Sequence, residues 1–180
     1  MQRINVVGTS GSGKSTFAKR LAHALSLPYI EMDALNWGPN WTEAPEDVFL
    51  SRVRRALIPD AWVLDGNYGQ SRAIKWERAT TVIWLDYNFF TVIYQVTKRA
   101  IIRAVTKQEL WPGTGNVETF RKTFLEKDSI ILWSLTSYHR NRRNYTAFMQ
   151  SPDYASIQWI RLRSHREATA FLSELKLPVR

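Results

Sequence analysis

The chain has 180 residues, a formal net charge of +9 at pH 7 and no cysteine, which excludes disulfides and thiolate metal sites. Hydrophobic residues make up 44% of the sequence, so we expect a globular chain that folds as one domain over residues 1–180. No apolar run is long enough to cross a bilayer and no segment resembles a signal peptide, so we expect a cytoplasmic protein without a membrane partner. The positive charge admits nucleic acid, an anionic surface or a polyphosphate as partner.

The first predicted unit is a strand over Arg3–Val7, a glycine-rich loop over residues 8–16 and a helix from Lys14 to about Leu25. The loop reads Gly-Thr-Ser-Gly-Ser-Gly-Lys-Ser-Thr and fits the phosphate-binding P-loop pattern G-x-x-x-x-G-K-[ST]. Glycines let the backbone approach an anion closely, and consecutive N–H groups then cradle phosphate oxygens. Lys14 would reach the β- and γ-phosphates of ATP, and Ser15 would ligate Mg²⁺. The predicted nucleotide contacts in this loop are Gly8, Ser10, Gly11, Ser12, Gly13, Lys14, Ser15 and Thr16.

Further strands are predicted at Tyr29–Glu31 and at residues 61–64, 81–85 and 156–162, with helical segments between them. The capping box Ser164-x-x-Glu167 predicts the start of the last helix. Most of these strands are continuous apolar runs, which indicates a parallel sheet covered by helices on both faces. The predicted fold class is therefore α/β, a three-layer sandwich around a five-stranded parallel sheet. Right-handed crossovers place the carboxyl ends of all strands along one edge, so polar residues that follow different strands should meet in one crevice.

Two aspartates end apolar strands and compete for a role at the metal ion. Phosphoryl transfer needs positioning, a metal ion and positive charge around the transferred group. Asp65 ends the third predicted strand and is our first choice for acting, with Ser15, on Mg²⁺ or its water ligands. Asp86 ends the fourth strand and is the competitor; its alternative role is to brace the helix that begins after Asn88.

The region after the second strand, residues 31–60, is predicted to receive the phosphate acceptor. Its residues from Asp33 to Pro45 are rich in Trp, Asn, Gly and Pro and predict a loop. Asp33 could accept a proton from an acceptor hydroxyl or hydrogen-bond to it; alternatively, it makes a local turn bond. Trp37 and Trp41 could stack on a flat acceptor such as a base, or they could be the hydrophobic lining of a long loop.

Basic residues concentrate in the helical segment over residues 98–143, which holds ten lysines and arginines against four acids. Six of the nine excess positive charges therefore lie in this segment. Arg99 and Arg103 share one helix face, and Arg140 lies on the helix that returns towards the sheet. We predict an arginine-bearing lid that excludes water and neutralises transition-state charge; the alternative is a solvated basic face. The predicted catalytic residues are Lys14, Asp33, Arg99 and Arg140.

Several of these motifs resemble a known group of enzymes. The loop over residues 8–16 and the run Leu64–Tyr68 are similar to the nucleoside-monophosphate kinase group, whose members include adenylate kinase and shikimate kinase. Residues 37–41, 62–68 and 129–134 are more similar still to the bacterial proteins called adenylate-kinase-related or DNA-topology-modulation proteins. The resemblance covers nearly the whole chain. It implies a sheet in the order 2-3-1-4-5, ATP and Mg²⁺ as cofactors, an acceptor-side region and a lid.

The resemblance also assigns further contacts. It places the adenine of ATP near Arg99 and the loop around Arg163. Adenylate kinases follow the Asp-Gly pair with an aromatic or aliphatic residue and then Pro-Arg, whereas here Asn67 comes next and an arginine appears only at Arg72. The acceptor is therefore left unidentified. The predicted acceptor contacts are Asp33, Trp37, Asn67 and Arg72.

Three functions are compatible with these features. The first hypothesis is a P-loop phosphotransferase that moves the γ-phosphate of ATP to a small acceptor. The second is a regulatory P-loop ATPase associated with nucleic acid, and the third is a nucleotide-binding protein without turnover. No helix-turn-helix or zinc finger is recognisable, so nucleic acid is the less favoured partner. Both a monomer and a homodimer are compatible with the sequence.

Overall fold

The computed structural model describes residues 1–107, 109–118 and 130–175, without the side chains of residues 130–133. At its centre is a five-stranded parallel sheet in the order β2-β3-β1-β4-β5. The strands are β1 (Arg3–Gly8), β2 (Tyr29–Glu31), β3 (Trp62–Asp65), β4 (Thr81–Leu85) and β5 (Gln158–Leu162). The predicted fold class and strand order are confirmed. All strands run in the same direction, so their carboxyl ends share one edge.

Helices cover both faces of this sheet. They are α1 (Lys14–Leu25), α2 (Met32–Asn36), α3 (Glu46–Ala56), α4 (Arg72–Arg78), α5 (Phe89–Thr106), α6 (Ile130–Gln150) and α7 (His165–Glu174). Short 3₁₀ turns occupy Pro39–Trp41, Gly69–Ser71 and Pro152–Tyr154. A search of the described residues finds no helix with the length and apolar character that a bilayer crossing requires.

Alternation along the strands divides the core into two layers. In β1, Ile4 and Val6 pack into the cluster that contains α1 and α7, whereas Val7 packs into the cluster that contains α3 and α4. All three side chains are fully buried. Strands buried on both faces explain the continuous apolar runs from which the parallel sheet was predicted.

Two predicted helix starts are present as hydrogen-bonded caps. The Asn88 side chain accepts a bond from the Thr91 N–H at the start of α5 (2.9 Å). At the start of α7, the Ser164 hydroxyl accepts a bond from the Glu167 N–H (3.2 Å), and the Glu167 carboxylate accepts one from the Arg163 N–H (2.8 Å). These bonds satisfy N–H groups that a helix start leaves unpaired.

The chain after β2 differs from its prediction. A loop was expected from Asp33, but Asp33 lies in the short helix α2, which is closed by a bond from the Trp37 N–H to the Asp33 carbonyl (2.9 Å). The fully buried Met32 side chain packs into the core and gives this turn an apolar anchor that outweighs the local loop-forming composition. Residues 119–129, the middle of the predicted lid, lie outside the described residues.

The glycine-rich loop packs directly against α5. Gly11 has φ +87°, and a Cβ atom added there would lie 2.7 Å from the Cβ of Val96. The Cβ position at Gly13, with φ +82°, lies 3.9 Å from Oε1 of Gln95. The helix α5, which leads into the predicted lid, therefore contacts the glycine-rich loop. Glycine at position 11 is needed both for the close approach of the loop to α5 and for the positive φ.

A Gly11→Ala substitution should lower the free energy of unfolding by about 2–4 kcal/mol. The backbone strain of an alanine at positive φ and the steric clash of its Cβ with Val96 both contribute to this loss. Gly113→Ala is the matched control, since Gly113 has φ +83° but nothing within 4 Å of the added Cβ. The control should lose only about 1 kcal/mol from backbone strain. Urea unfolding without nucleotide measures both, and equal losses would contradict the packing argument.

Candidate functional site

The glycine-rich loop lies between β1 and α1, and its lysine is held inside the crevice. The Nζ of Lys14 donates to the Thr9 carbonyl (3.2 Å). Burial lowers the pKa of Lys14, the carboxylates of Asp65 and Asp33 raise that pKa, and the Arg99 guanidinium lowers it further. Such charge effects weaken with distance, and strand pairing sets Asp65 beside Val6 of β1 and Glu31 of β2. Lys14, Asp33, Asp65 and Arg99 therefore converge at one end of the sheet, as expected from the parallel strands.

Asp65 ends β3 with a buried carboxylate that the protein satisfies only in part. It is 4% exposed; Oδ2 accepts a bond from the Tyr29 hydroxyl (3.3 Å), while Oδ1 is buried without a hydrogen-bond partner among the described residues. Burial raises the pKa of Asp65, and the nearby Lys14 ammonium and Ser15 hydroxyl lower that pKa. A buried carboxylate oxygen without a donor, beside a hydroxyl, is a donor set that suits a hard divalent cation or its water ligands.

Asp86, the competing carboxylate, is engaged elsewhere. Its Oδ2 accepts a bond from Nε of Arg161 (2.9 Å), and its Oδ1 lies 3.2 Å from Nε of Arg142. Its N–H donates to the Leu162 carbonyl (2.8 Å). Asp86 thus ties β4 to β5 and to α6. These partners lie on β5 and α6 and not on the helix after Asn88, so the expected bracing of that helix stays a prediction. Asp65 is the carboxylate whose charge acts on Lys14.

Asp33 makes a long-range contact in addition to its place in α2. Its Oδ1 accepts a bond from the Tyr68 hydroxyl (2.7 Å), which joins α2 to the turn after β3. Burial raises the pKa of Tyr68, and the charge of Asp33 raises it further, so the phenol remains protonated and donates. The alternative of a purely local turn bond does not describe this residue, because its carboxylate is held by a side chain 35 positions away.

The predicted lid arginines occupy different surroundings. Arg99, on α5, has a buried Nε without a hydrogen-bond partner in the described part of the chain, and burial lowers the pKa of its guanidinium. Arg103, one turn further, is bonded to Glu118 (2.9 Å). Arg140 is exposed on α6, and Arg163 is exposed in the turn after β5. Of the arginines predicted to be catalytic or nucleotide-binding, Arg99 is the one whose charge acts on Lys14.

Asn67 and Arg72, two of the predicted acceptor contacts, are engaged by protein groups. The Asn67 amide donates to the Gly8 carbonyl (2.7 Å), and its oxygen accepts bonds from the Gly8 N–H (3.2 Å) and the Tyr145 hydroxyl (2.9 Å). The Arg72 guanidinium stacks on Phe148, 4.1 Å from the ring centroid. Contact of either side chain with an acceptor stays a prediction, whereas a structural role is visible for both.

Trp37 lies in an aromatic cluster that the sequence did not reveal in full. Its ring contacts those of Trp41 and Trp111, with centroids 5.8 and 6.4 Å away. Trp111 lies about 70 positions later in the chain and also donates through Nε1 to the Glu31 carboxylate (3.2 Å). In the sequence, the segment around Trp111 shows only Pro and Gly residues typical of a helix break, which carry no information about its distant contacts.

Lys75 is a buried residue that sequence reasoning missed. Its side chain is fully buried, and its Nζ donates to the carbonyls of Gly66 (3.2 Å) and Asn67 (2.5 Å), directly after Asp65. Burial lowers the pKa of Lys75 to about 7, and the Arg72 charge contributes. The sequence carries no local signal for this burial, because a lysine in a short helical stretch is ordinarily exposed.

Among the described residues, no group of three or more acidic or histidine side chains is arranged to hold a metal ion. A cation here would therefore need oxygen ligands beyond Asp65 and Ser15. Phosphate oxygens and water supply such ligands in nucleotide sites, because Mg²⁺ commonly keeps several waters and binds through one or two carboxylates plus the substrate phosphates. The residues present thus fit Mg²⁺ bound together with a polyphosphate.

Comparison with known proteins identifies the fold. No model of a protein family matches the chain, and no curated protein matches it in sequence. Among solved structures, a gluconokinase from Sinorhizobium meliloti 1021 matches with a TM-score of 0.51, covering 97% of this chain and 93% of that chain at 18% sequence identity. The match supports a P-loop kinase fold, and at this identity it carries no information about the acceptor.

The pH dependence of stability tests the Lys75 environment. Its pKa is about 7 in the fold against an ordinary value of 10.5, so the unfolded chain binds more protons between those values. The contribution of Lys75 to the free energy of unfolding therefore rises with pH across this window, by at most about 1.4 kcal/mol per pH unit.

Lys75→Met lacks this titration, so the stability of the wild type relative to this variant should increase from pH 7 to pH 10 and stay constant below pH 7. Urea unfolding of both proteins at pH 6, 7.5 and 9 measures the difference, and the other titrating groups cancel between them. A difference that does not change with pH would show that the ammonium is charged throughout.

Proposed function

We propose that this protein is an ATP-dependent small-molecule kinase, which transfers the γ-phosphoryl group of ATP to a hydroxyl of a small acceptor. The observation that carries this proposal is the convergence of Lys14, Asp65, Asp33 and Arg99, whose charges act on one another at the carboxyl edge of the sheet. Two cations and two carboxylates at a phosphate-binding loop match what phosphoryl transfer requires: positive charge at the transferred group, a metal-side carboxylate and a proton acceptor.

In the proposed reaction the acceptor oxygen attacks the γ-phosphorus, the bond from that phosphorus to the bridging oxygen breaks, and ADP leaves. Asp33 accepts the hydroxyl proton, and the Tyr68 hydroxyl bonded to it fixes the orientation of the carboxylate. Lys14 and Arg99 neutralise charge on the transferred group. Ser15 and Asp65 would hold Mg²⁺, which supplies further charge neutralisation when bound to the phosphates.

A lid over residues 98–143, with the acceptor-side region at 31–60, remains part of the proposal. Its support is the packing of α5 on the glycine-rich loop at Gly11, together with the placement of Arg99. Water exclusion by such a segment would suppress hydrolysis of ATP. Arg140 is proposed to contribute from α6, and Arg163 to lie at the adenine.

The nucleic-acid alternative has less support. Backbone phosphates require cations that are free on an open face. Several described cations are instead paired within the protein: Arg103 with Glu118, and Arg142 and Arg161 with Asp86. These pairs remove positive charge from the surface and leave the kinase as the better-supported function.

Replacing Lys14 by alanine should reduce ATP-dependent phosphotransfer at least about 100-fold, because the ammonium stabilises the transferred group. Arg20→Ala is the control: Arg20 is exposed on the same helix and carries the same charge. A coupled assay of ADP release measures turnover, and calorimetry measures ATP affinity, for the wild type and both variants. Unchanged turnover in Lys14→Ala would refute an enzymatic role for the loop.

Asp33→Asn should leave ATP affinity within about twofold and lower the rate of acceptor phosphorylation about 10²- to 10⁴-fold, since an amide does not accept the proton. Asp153→Asn, at an exposed position far along the chain, controls for the charge change. ATP affinity and transfer rate are measured separately. A loss of ATP affinity in Asp33→Asn would move Asp33 to the donor side of the site.

A further inference from the structure

The acceptor side of the crevice has an aromatic wall built from two distant parts of the chain. The rings of Trp37 and Trp111 are nearly parallel, at 14° with centroids 6.4 Å apart. Trp41 meets both edge-on, with centroid distances of 5.8 Å. All three are half-buried, so part of each ring remains accessible. Such a wall offers apolar faces to the C–H groups of a ligand or to an ammonium group.

This wall is joined to the reacting groups. Nε1 of Trp111 donates to Glu31 (3.2 Å), whose charge acts on Asp65. The Trp37 N–H donates to the Asp33 carbonyl (2.9 Å), and the Asp33 carboxylate accepts a bond from the Tyr68 hydroxyl (2.7 Å). A molecule bound at the wall would therefore be adjacent to the proposed proton acceptor.

Asn116 joins the two segments that form the wall, residues 37–41 and 109–118, by hydrogen bonds. Its side chain is fully buried; its oxygen accepts a bond from the Trp41 N–H (2.8 Å), and its amide donates to the Gly38 carbonyl (2.9 Å). Both bonds reach across 75 positions or more of sequence. The segment over residues 109–118 thus belongs to the acceptor side, and Asn116 is a positioning residue for Trp111.

The charges around the wall are negative. Glu31 accepts a bond from Trp111, and the Asp33 carbonyl accepts one from the Trp37 N–H (2.9 Å). Glu43 pairs through its backbone with Trp37, and its charge raises the pKa of Tyr68. A phosphate or carboxylate on the acceptor would be repelled here.

Basic side chains could offset this negative charge, but those near the wall that the structure describes are bonded to or stacked on other protein groups. Lys19 pairs with Glu31 (3.6 Å), the exposed Arg52 donates to the Leu35 carbonyl (2.9 Å), and Arg72 stacks on Phe148. The charge of Arg99 acts on Lys14, Asp33 and Asp65, which are already charged groups of the crevice. Among the residues that the structure describes, no arginine is thus seen placed at the wall for the bidentate recognition of phosphate or carboxylate.

We infer that the acceptor is an uncharged or amine-bearing polyhydroxy compound, a sugar or polyol rather than a nucleoside monophosphate or a sugar acid. This inference rests on the proposed kinase function and adds the class of acceptor. The indole faces bind the C–H face of the polyol, the carboxylates accept its hydroxyl hydrogen bonds, and an ammonium group is tolerated or favoured.

The test is a phosphotransfer assay with labelled ATP and acceptors that differ in charge. D-glucose, sorbitol and D-glucosamine represent the neutral and cationic class; D-gluconate, glucose 6-phosphate and AMP represent the anionic class. The best neutral or cationic compound should exceed every anionic one at least about tenfold in kcat/KM. Faster transfer to an anionic compound, or no transfer to the neutral and cationic compounds, overturns the inference.

Lys14→Ala separates this inference from the proposed function. Transfer that depends on Lys14 but goes to anionic acceptors overturns the acceptor class and leaves the kinase proposal standing. Absence of Lys14-dependent turnover with every compound overturns both.

Two variants test the wall itself. Trp111→Leu and Asn116→Ala should each raise KM for the best acceptor about tenfold while KM for ATP and kcat change less than about twofold. Acceptor added without ATP should change the tryptophan fluorescence of the wild type, and this change should be reduced in Trp111→Leu. Trp159→Phe, which alters a tryptophan packed on Trp76 instead, is the control. An unchanged KM for the acceptor in both variants contradicts the assignment of the wall.

Discussion

Two hydrogen bonds between the Asn67 side chain and the Gly8 backbone, called here the Asn67 bracket, hold the glycine-rich loop to the rest of the crevice. One amide donates to the Gly8 carbonyl and accepts from the Gly8 N–H, at the residue where β1 passes into the loop. Tyr145 bonds to the same amide oxygen, and the Asn67 carbonyl accepts from the buried Lys75. Because a loop that cradles phosphates must keep N–H groups available for the anion, its position has to be fixed by side chains from outside the loop. The Asn67 bracket meets that requirement, and it places the loop next to Asp65.

The charged groups of the crevice are complementary to a metal-bound polyphosphate. Burial lowers the pKa of Lys14 and raises that of Asp65, and each partly restores the charged form of the other. A bound anion would raise the pKa of Lys14, and a cation at Asp65 would lower the pKa of that carboxylate. An anion at Lys14 and a cation at Asp65, bound together, would offset the free-energy cost of burying these two charges in the free protein. The same reasoning explains why Asp86, already paired with Arg161 and Arg142, is less suited to a metal ion.

The sequence predicts the parts of this molecule that depend on short-range pattern. The loop motif, the apolar strands and the caps at Asn88 and Ser164 are local, and the structure contains them. Convergence of Asp33 and Asp65 on Lys14 follows from parallel strands sharing an edge. Other features depend on distant packing that no local pattern encodes. The stacking of Arg72 on Phe148 of α6 is one such feature, and contact of Arg72 with an acceptor stays a prediction. Asn116 looks like a turn residue, yet it is buried against a loop 75 positions earlier.

The division between a general fold and a specific acceptor side explains why fold similarity leaves the substrate open. The sheet, the loop and Lys14 belong to the part of the molecule that we propose binds the donor, and a gluconokinase of 18% identity has a similar fold over 97% of this chain. The acceptor side is built from loops, at residues 37–41 and 109–118, that pack on each other through three tryptophans and Asn116. Loops tolerate sequence change without loss of the core. Acceptor choice can therefore diverge while donor binding is retained, and the evidence for a substrate must come from the wall and its carboxylates.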